Sequence, residues 1–235
     1  MTVSLTQTDL DAIREIDTPT ICNLIEMVAP ERRGSGYTVQ HLHCLHPEMK
    51  PIVGYAKTAT MRSRVASNLT AAQYDDVRRR YFEYLEDGDW PKISIIQDVD
   101  ERPGYGAFWG EVMTRVHKGL GCLGVVTNGS VRDVDVLAPD FQVLAGLIAP
   151  SHAFVHACEW NCEVNIHGMT VHDGDLIHAD RHGAVTVPPG AVKKLPQAFN
   201  LLQRREKLVI DAAESPDVSA ASLAEAWRQG AAIKV

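Results

Sequence analysis

The sequence predicts a single α/β domain built in layers, with helices at both ends. Three observations carry that expectation. The middle of the chain alternates strand, helix, strand and helix; a cluster of short strands follows; and helical patterns occupy the two ends. No internal repeat and no low-complexity linker divides the 235 residues, so one domain over 1–235 is expected rather than two.

The elements justify this in order. Thr8–Glu15 reads as a short helix, and "DTPTICNLIEM" as a second, with Asp17 or Thr18 as cap and Pro19 in the first turn, where its missing N–H is harmless. "GSGY" at Gly34–Tyr37 is a loop, and "IVGYAKTATMRS" alternates small or apolar with polar residues as a strand does. "AAQYDDVRRRYFEYLEDGD" is an amphipathic helix ending at Gly88, "KISIIQDVD" a buried strand, and "ERPGYGAF" a Gly/Pro-rich loop. "WGEVMTRVHKGLG" is a helix closed by Gly119 and Gly121, and "CLGVVTNG" is the next strand. A short helix is expected from Asp133 to Leu137. "FQVLAG", "HAFVHA", "EVNIHG", "MTVHDGDLIHAD" and "AVTVPPG" are short strands, and Gly190 to about Glu214 is helical, with Leu195, Phe199, Leu202 and Leu208 facing inward.

Hydrophobic residues at 45% and charged residues at 23% are ordinary for a soluble globular protein. A net charge of −7 disfavours nucleic acid and anionic membranes as partners. The five cysteines are scattered and odd in number, a pattern of reduced thiols and not a disulfide framework. The opening "MTVSLTQTDLDAIREIDT" lacks a basic region followed by an apolar core, and no apolar run reaches the roughly 20 residues of a membrane span. The expectation is a cytoplasmic protein.

The chemistry concentrates in "GVVTNGSVRDVDVL". An apolar strand runs into a turn that presents Arg132 and Asp133 side by side, and Glu111 opens the preceding helix. Unpaired amides around Gly110, Glu111, Val112 and Met113 would attract a carboxylate or phosphate. Arg132 could clamp a carboxylate through two hydrogen bonds. Asp133 could hold a hard divalent cation, with Glu111 orienting one of its waters. The plainer alternative is that Glu111 and Asp133 are acids in first turns of helices, worth ~0.3–1 kcal/mol each through the helix dipole, with Arg132 at the surface.

Other constellations point less far. His41 and His43 share one face of an expected strand, with His46 beyond; His152 and His156 share another; His167, His172, His178 and His182 follow. They match no zinc spacing, and "CEWNC" has no matching pair elsewhere. Ser130 lies outside any G-x-S-x-G elbow, and no dinucleotide or Walker loop is present. Lys57 and Lys92 remain candidates for a Schiff base without a feature that marks them.

The blocks "FWGEVMTRVHKG", "GCLGVVTNGSVRDVDVL" and "GDLIHADRHGAVTVP", in this order, resemble the family of class II 4-hydroxy-4-methyl-2-oxoglutarate aldolases, which also contains the regulator of ribonuclease activity A. The resemblance runs from about Asp17 to Glu206. Family aldolases carry an acid, twenty residues, Arg-Asp, two residues and a further acid. Glu111, Arg132 and Asp133 match, whereas Val136 stands at the last position and Asp135 beside it.

The resemblance implies an α/β/β swivelling-type domain, assembled as a homotrimer or dimer of trimers with sites between subunits, and an inserted helical segment at about 71–90. It implies Mg²⁺ or Mn²⁺ held by Asp133, by Glu111 through water, and by Glu206 of a neighbouring subunit through water. A pyruvoyl-type 4-hydroxy-2-keto acid would be held by Arg132 and the Gly110–Met113 amides and cleaved by retro-aldol chemistry, with oxaloacetate decarboxylation as a side activity. One branch of the family implies a different role, a non-catalytic regulator that binds a ribonuclease or helicase. A methyltransferase role has no Gly-rich cofactor loop to support it.

Overall fold

Why the chain starts its helices where it does is visible at their first turns. The computed structural model describes residues 5–234; the first four residues of the opening stretch read for a signal lie outside it. Helix α1 (Gln7–Arg14) is capped by Thr6 in a reciprocal capping box with Asp9, and α2 (Thr18–Val28) by Asp17, whose carboxylate accepts the Thr20 N–H at 2.9 Å. After β1 (His43–Cys44) and β2 (Ile52–Arg62), Thr70 and Gln73 form the box that opens α3 (Ala71–Glu86). Lys92 closes the far end of α3, its Nζ donating to the carbonyls of Leu85 (2.7 Å) and Glu86 (3.1 Å).

The chain continues through β3 (Lys92–Asp98), β4 (Ala107–Trp109), α4 (Glu111–Gly119), β5 (Cys122–Val131) and β6 (Gln142–Ile148). Then come β7 (His156–Trp160), β8 (Val164–Ile166), β9 (Met169–Val171), β10 (Leu176–Asp180) and β11 (Gly183–Thr186). Helices α5 (Pro189–Val192), α6 (Leu195–Ala213) and α7 (Ala220–Ala232) end the described chain.

The main sheet runs β1-β6-β5-β3-β2-β10-β11, with β4 added beside β5 and β7 beside β2. Strands β2, β3, β5 and β6 are mutually parallel and form its centre; β1, β10 and β11 join antiparallel. Side chains alternate between its faces. Val53 meets α1, α2 and α6, and Ala59 and Met61 meet α3 and α4. Ile52, Ala56, Val126 and Leu144 point the other way, onto the β8–β9 hairpin. Helices, large sheet and hairpin are the three layers of the expected α/β/β arrangement, and both faces of the parallel centre are covered, as parallel sheets require.

Three expectations are corrected and one helix is added. No helix follows Asp133. Asp133 has φ +54°, outside the helical region, and only a single turn forms, with the Val136 N–H on the Asp133 carbonyl at 3.0 Å. The strand expected at "HAFVHA" begins only at His156, because Ala153 (φ +47°) and the Val155 N–H to His152 carbonyl bond make a turn there. Trp109 is the last residue of a strand and not the first of a helix, since β4 pairs with β5 and the Trp109 carbonyl accepts the Arg132 N–H at 2.9 Å. Helix α7 is an addition, started by a capping box between Ser219 and Ser222.

Candidate functional site

The site is built where two parallel strands end. Strands β4 and β5 run side by side, and the bond from the Arg132 N–H to the Trp109 carbonyl ties the exit of one to the exit of the other. Each strand then turns: β4 passes through Gly110 into α4, and β5 passes into Arg132 and Asp133. The carboxyl ends of parallel strands are where open α/β sheets place ligands.

Gly110 caps α4 with extended backbone and no side chain to fill the cap. A β carbon at this position would lie 2.6 Å from Oδ2 of Asp133 and 3.2 Å from Cγ of Arg132. Glycine therefore leaves the Asp133 carboxylate lying against the helix N-terminus. Oδ2 accepts the Glu111 N–H in a long bond of 3.4 Å and lies 3.6 Å from Nε of Arg132. Both side chains keep about a third of their surface open, at 36% for Arg132 and 37% for Asp133. The first turn of α4 has no side-chain cap, which leaves the Val112 and Met113 amides facing outward with the positive end of the helix dipole.

Glu111 is present but turned aside. Its carboxylate pairs with Arg115, one helical turn on, at 3.3 Å, and Arg115 also donates to the Val136 carbonyl at 3.4 Å. Val136 puts a half-exposed apolar side chain where family aldolases place an acid. Glu206 sits on α6 along a groove with Trp227 and Gly230 of α7, and within the described residues no ion pair or hydrogen bond joins it to Asp133. The structure thus brings together Gly110, Glu111, Arg132 and Asp133, and leaves Glu206 apart within one chain.

One positioning residue escapes sequence reading. The Thr114 hydroxyl donates to the Gly110 carbonyl at 2.9 Å and accepts the Ala138 N–H at 3.0 Å. It pins the first turn of α4 to the turn that carries Asp133. A threonine inside a helix gives no signal of this; the Glu111–Arg115 spacing of four residues does.

Three of the remaining candidates have structural employment. His178 is buried between the Thr18 hydroxyl (3.0 Å) and the Ile13 carbonyl (3.1 Å). Lys92 closes α3, and Lys57 lies over the Tyr84 ring at 4.4 Å from its centroid. Among the described residues no three His, Cys, Asp or Glu side chains are grouped to share a metal, and no helix is long and apolar enough to cross a membrane.

The comparisons with known proteins agree with the fold. The protein DlpA of Legionella pneumophila is 27% identical over 126 residues, which is 51% of this chain and 20% of that protein. The uncharacterized protein MJ0644 of Methanocaldococcus jannaschii is 29% identical over 120 residues, 50% of this chain and 58% of that one. The chain therefore spans a fifth and just over half of the lengths of these curated relatives. Among solved structures, an uncharacterized protein from Pseudomonas syringae pv. tomato superposes with a TM-score of 0.70 at 18% identity, covering 97% of each chain. Streptomyces coelicolor RraAS2, described as an unusual member of the RNase ES inhibitor RraA protein family, does so with 0.65 at 18% identity, over 87% of this chain and 96% of that one. These likenesses establish the fold. The family described as Aldolase/RraA matches residues 18–186, which span every element from α2 to β11 and the whole Gly110–Asp133 site, and the chain belongs to this RraA-like family.

Proposed function

We propose that this protein is a divalent-metal-dependent carbon–carbon lyase acting on a pyruvoyl-type 4-hydroxy-2-keto acid, with oxaloacetate decarboxylation as a side activity. The observation that carries this reading is the Gly110–Asp133 contact. A regulator that only docked on a partner would have no use for a glycine that keeps one carboxylate against a helix N-terminus and beside an arginine.

The donor set fits a metal. One open carboxylate on a tight turn is the usual protein contribution to Mg²⁺ or Mn²⁺, which take few protein ligands and keep several waters. Asp133 would hold the ion directly, and Glu111 through water once its carboxylate leaves Arg115; Glu206 of a neighbouring copy is the third, more remote candidate. When bound, such an ion supplies a Lewis acid for negative charge on the keto oxygen.

The chain's own groups do the rest. Arg132 and the outward amides of Val112 and Met113 receive the substrate carboxylate, fixing the keto acid with its C3–C4 bond clear of the strand ends. Glu111 orients the water that takes the proton from the 4-hydroxyl. As that oxygen becomes a carbonyl, the C3–C4 bond breaks and its electron pair passes to C3 and the former keto oxygen, beside the Arg132 guanidinium. That water then returns the proton to C3, which releases pyruvate. Oxaloacetate reaches the same three-carbon fragment by loss of CO₂.

The same reading puts a second copy of the chain over this edge. Val112 (68% exposed), Val134, Val136 and Ile148 leave apolar surface around the site, suited to a homotrimer or a dimer of trimers. The test is pyruvate release, coupled to lactate dehydrogenase, from oxaloacetate and from 4-hydroxy-4-methyl-2-oxoglutarate. Release should require Mg²⁺ or Mn²⁺, stop with EDTA and be lost in Arg132→Ala. Release from neither compound, together with capture of a ribonuclease or helicase that survives Asp133→Ala, would replace the enzyme with the regulator.

A further inference from the structure

Helix α3 stands outside the sheet, between β2 and β3, and lies over α4 and β7. Its place is fixed by buried polar contacts. Tyr81 and His117 are both fully buried and bonded at 2.9 Å, and the other imidazole nitrogen bonds the Met113 carbonyl at 2.8 Å. Because a carbonyl only accepts, Nδ1 of His117 carries the proton and Nε2 accepts from the Tyr81 hydroxyl. Tyr84 of the same helix donates to Asp173 and to the Thr58 carbonyl.

Between α3 and α4 this leaves a cavity of about 110 Å³, open at one side. Val77 and Phe82 of α3, Phe108 of β4, Met113 of α4, Ala157 of β7 and Val155 just before it form its apolar wall. The only charged residue on it, Arg78, is paired with Asp75 at 2.8 Å. Packed interiors leave few such spaces; an enclosed apolar cavity of ~150 Å³ takes a benzene ring, and this smaller one admits a group of that size only because one side is open.

The cavity borders the candidate site through two of its residues. Phe108 precedes Gly110 by two positions on β4. Met113 contributes an outward amide to the first turn of α4 and a side chain to the cavity wall, and helical side chains lean toward the helix N-terminus. Met113 is thus shared by the carboxylate-binding turn and the cavity wall.

We propose that this cavity is the specificity pocket of the site. Its ligand is a 2-keto acid whose C4 carries an apolar substituent of roughly four to six carbons, branched or aromatic. This rests on the keto-acid reading above and narrows its substrate class. Hydrophobic pockets discriminate by ~10- to 200-fold for each methylene they gain or lose. The ring-bearing ligand should therefore exceed its ring-free parent by at least tenfold.

The probe pair is 2-oxo-4-phenylbutanoate and 2-oxobutanoate, titrated calorimetrically into the full chain with Mg²⁺. Two variants fill the cavity from different elements, Ala157→Leu from β7 and Val77→Phe from α3, and thermal melts identify which remain folded. The expected result is a preference of tenfold or more for the phenyl compound, lost in each folded variant while 2-oxobutanoate binds as before. Equal binding of the two acids to the unmodified protein, or a preference that persists in a folded filled variant, overturns the pocket. A filling-sensitive preference with no turnover of any hydroxy-keto acid keeps the pocket and overturns the lyase; turnover with no preference does the reverse. Binding of neither acid overturns the pocket, and overturns the lyase as well when no hydroxy-keto acid is turned over.

Discussion

The Cα of Gly110 and the carboxylate of Asp133 are packed so closely that no side chain fits between them; an added β carbon would sit 2.6 Å from Oδ2. Gly110→Ala must therefore push the carboxylate off the helix N-terminus or shift the turn that carries it. The core beneath is untouched, so the cost in stability should be ~1–3 kcal/mol, the usual range for overpacking. Pyruvate release should fall by about 100-fold, the scale of an ångström's misplacement at a reacting centre. Melting curves and the coupled assay check the two halves; full activity in the alanine variant would remove the contact from the site.

Arg132 offers a planar fork that lysine cannot reproduce. Arg132→Lys keeps the charge but not the two parallel bonds to a carboxylate. It should raise KM for oxaloacetate by tenfold or more, and Arg132→Ala should lower kcat/KM by ~10²–10³. Since a third of the side chain is open to water, neither change should move the melting temperature appreciably. Steady-state kinetics beside a thermal melt test this. Lysine that matched arginine would mean that only a positive charge is needed.

Burial lowers the pKa of His117 from 6.5 to about 4, opposed only in part by the bond to the Met113 carbonyl. Above about pH 6.5 the ring is neutral in both folded and unfolded chains, and its contribution is fully present. As pH falls from 6.5 toward 4, the unfolded chain takes up a proton that the folded one refuses, so stability falls. The loss should be roughly 2 to 3 kcal/mol between about pH 7.5 and pH 4.5. His167 and His178 are shifted downward by burial as well and act in the same direction. Urea unfolding of His117→Gln isolates the first contribution: the variant should lose less on acidification than the parent, and an identical slope would count against it.

The readable parts of this molecule are those whose cause is local. Asp17 with Pro19, and the helix over "AAQYDDVRRRYFEYLE", are each written within a few residues, and the structure reproduces them. By contrast, β2 is a strand as read but is buried on both faces and shows no alternation of burial. Arg132 and Asp133 announce themselves as adjacent opposite charges at a strand exit, and Gly110 with Glu111 as a helix start. What the sequence hides depends on partners far along the chain. Trp109 reads as helical until its pairing with β5 is known, and the segment after Asp133 keeps a helical composition that its left-handed residue overrules. Thr114 is invisible because its two bonds reach a carbonyl four residues back and an amide 24 residues ahead. The cavity under α3 takes its wall from four separate elements, and no window of sequence contains it.

Strand β2 also sets a problem of timing. It is hydrogen-bonded to β3 on one edge, but its other edge is completed by β7 and β10, whose residues lie about a hundred or more positions further on. At ~5–20 residues per second of synthesis, that edge stays bare for roughly 5 to 25 seconds after the strand leaves the ribosome. An uncovered apolar strand is a template for wrong pairing. The newborn chain should therefore depend on holdase chaperones during that interval, and its yield of soluble protein should rise with added holdase and fall when translation is slowed between β2 and β10.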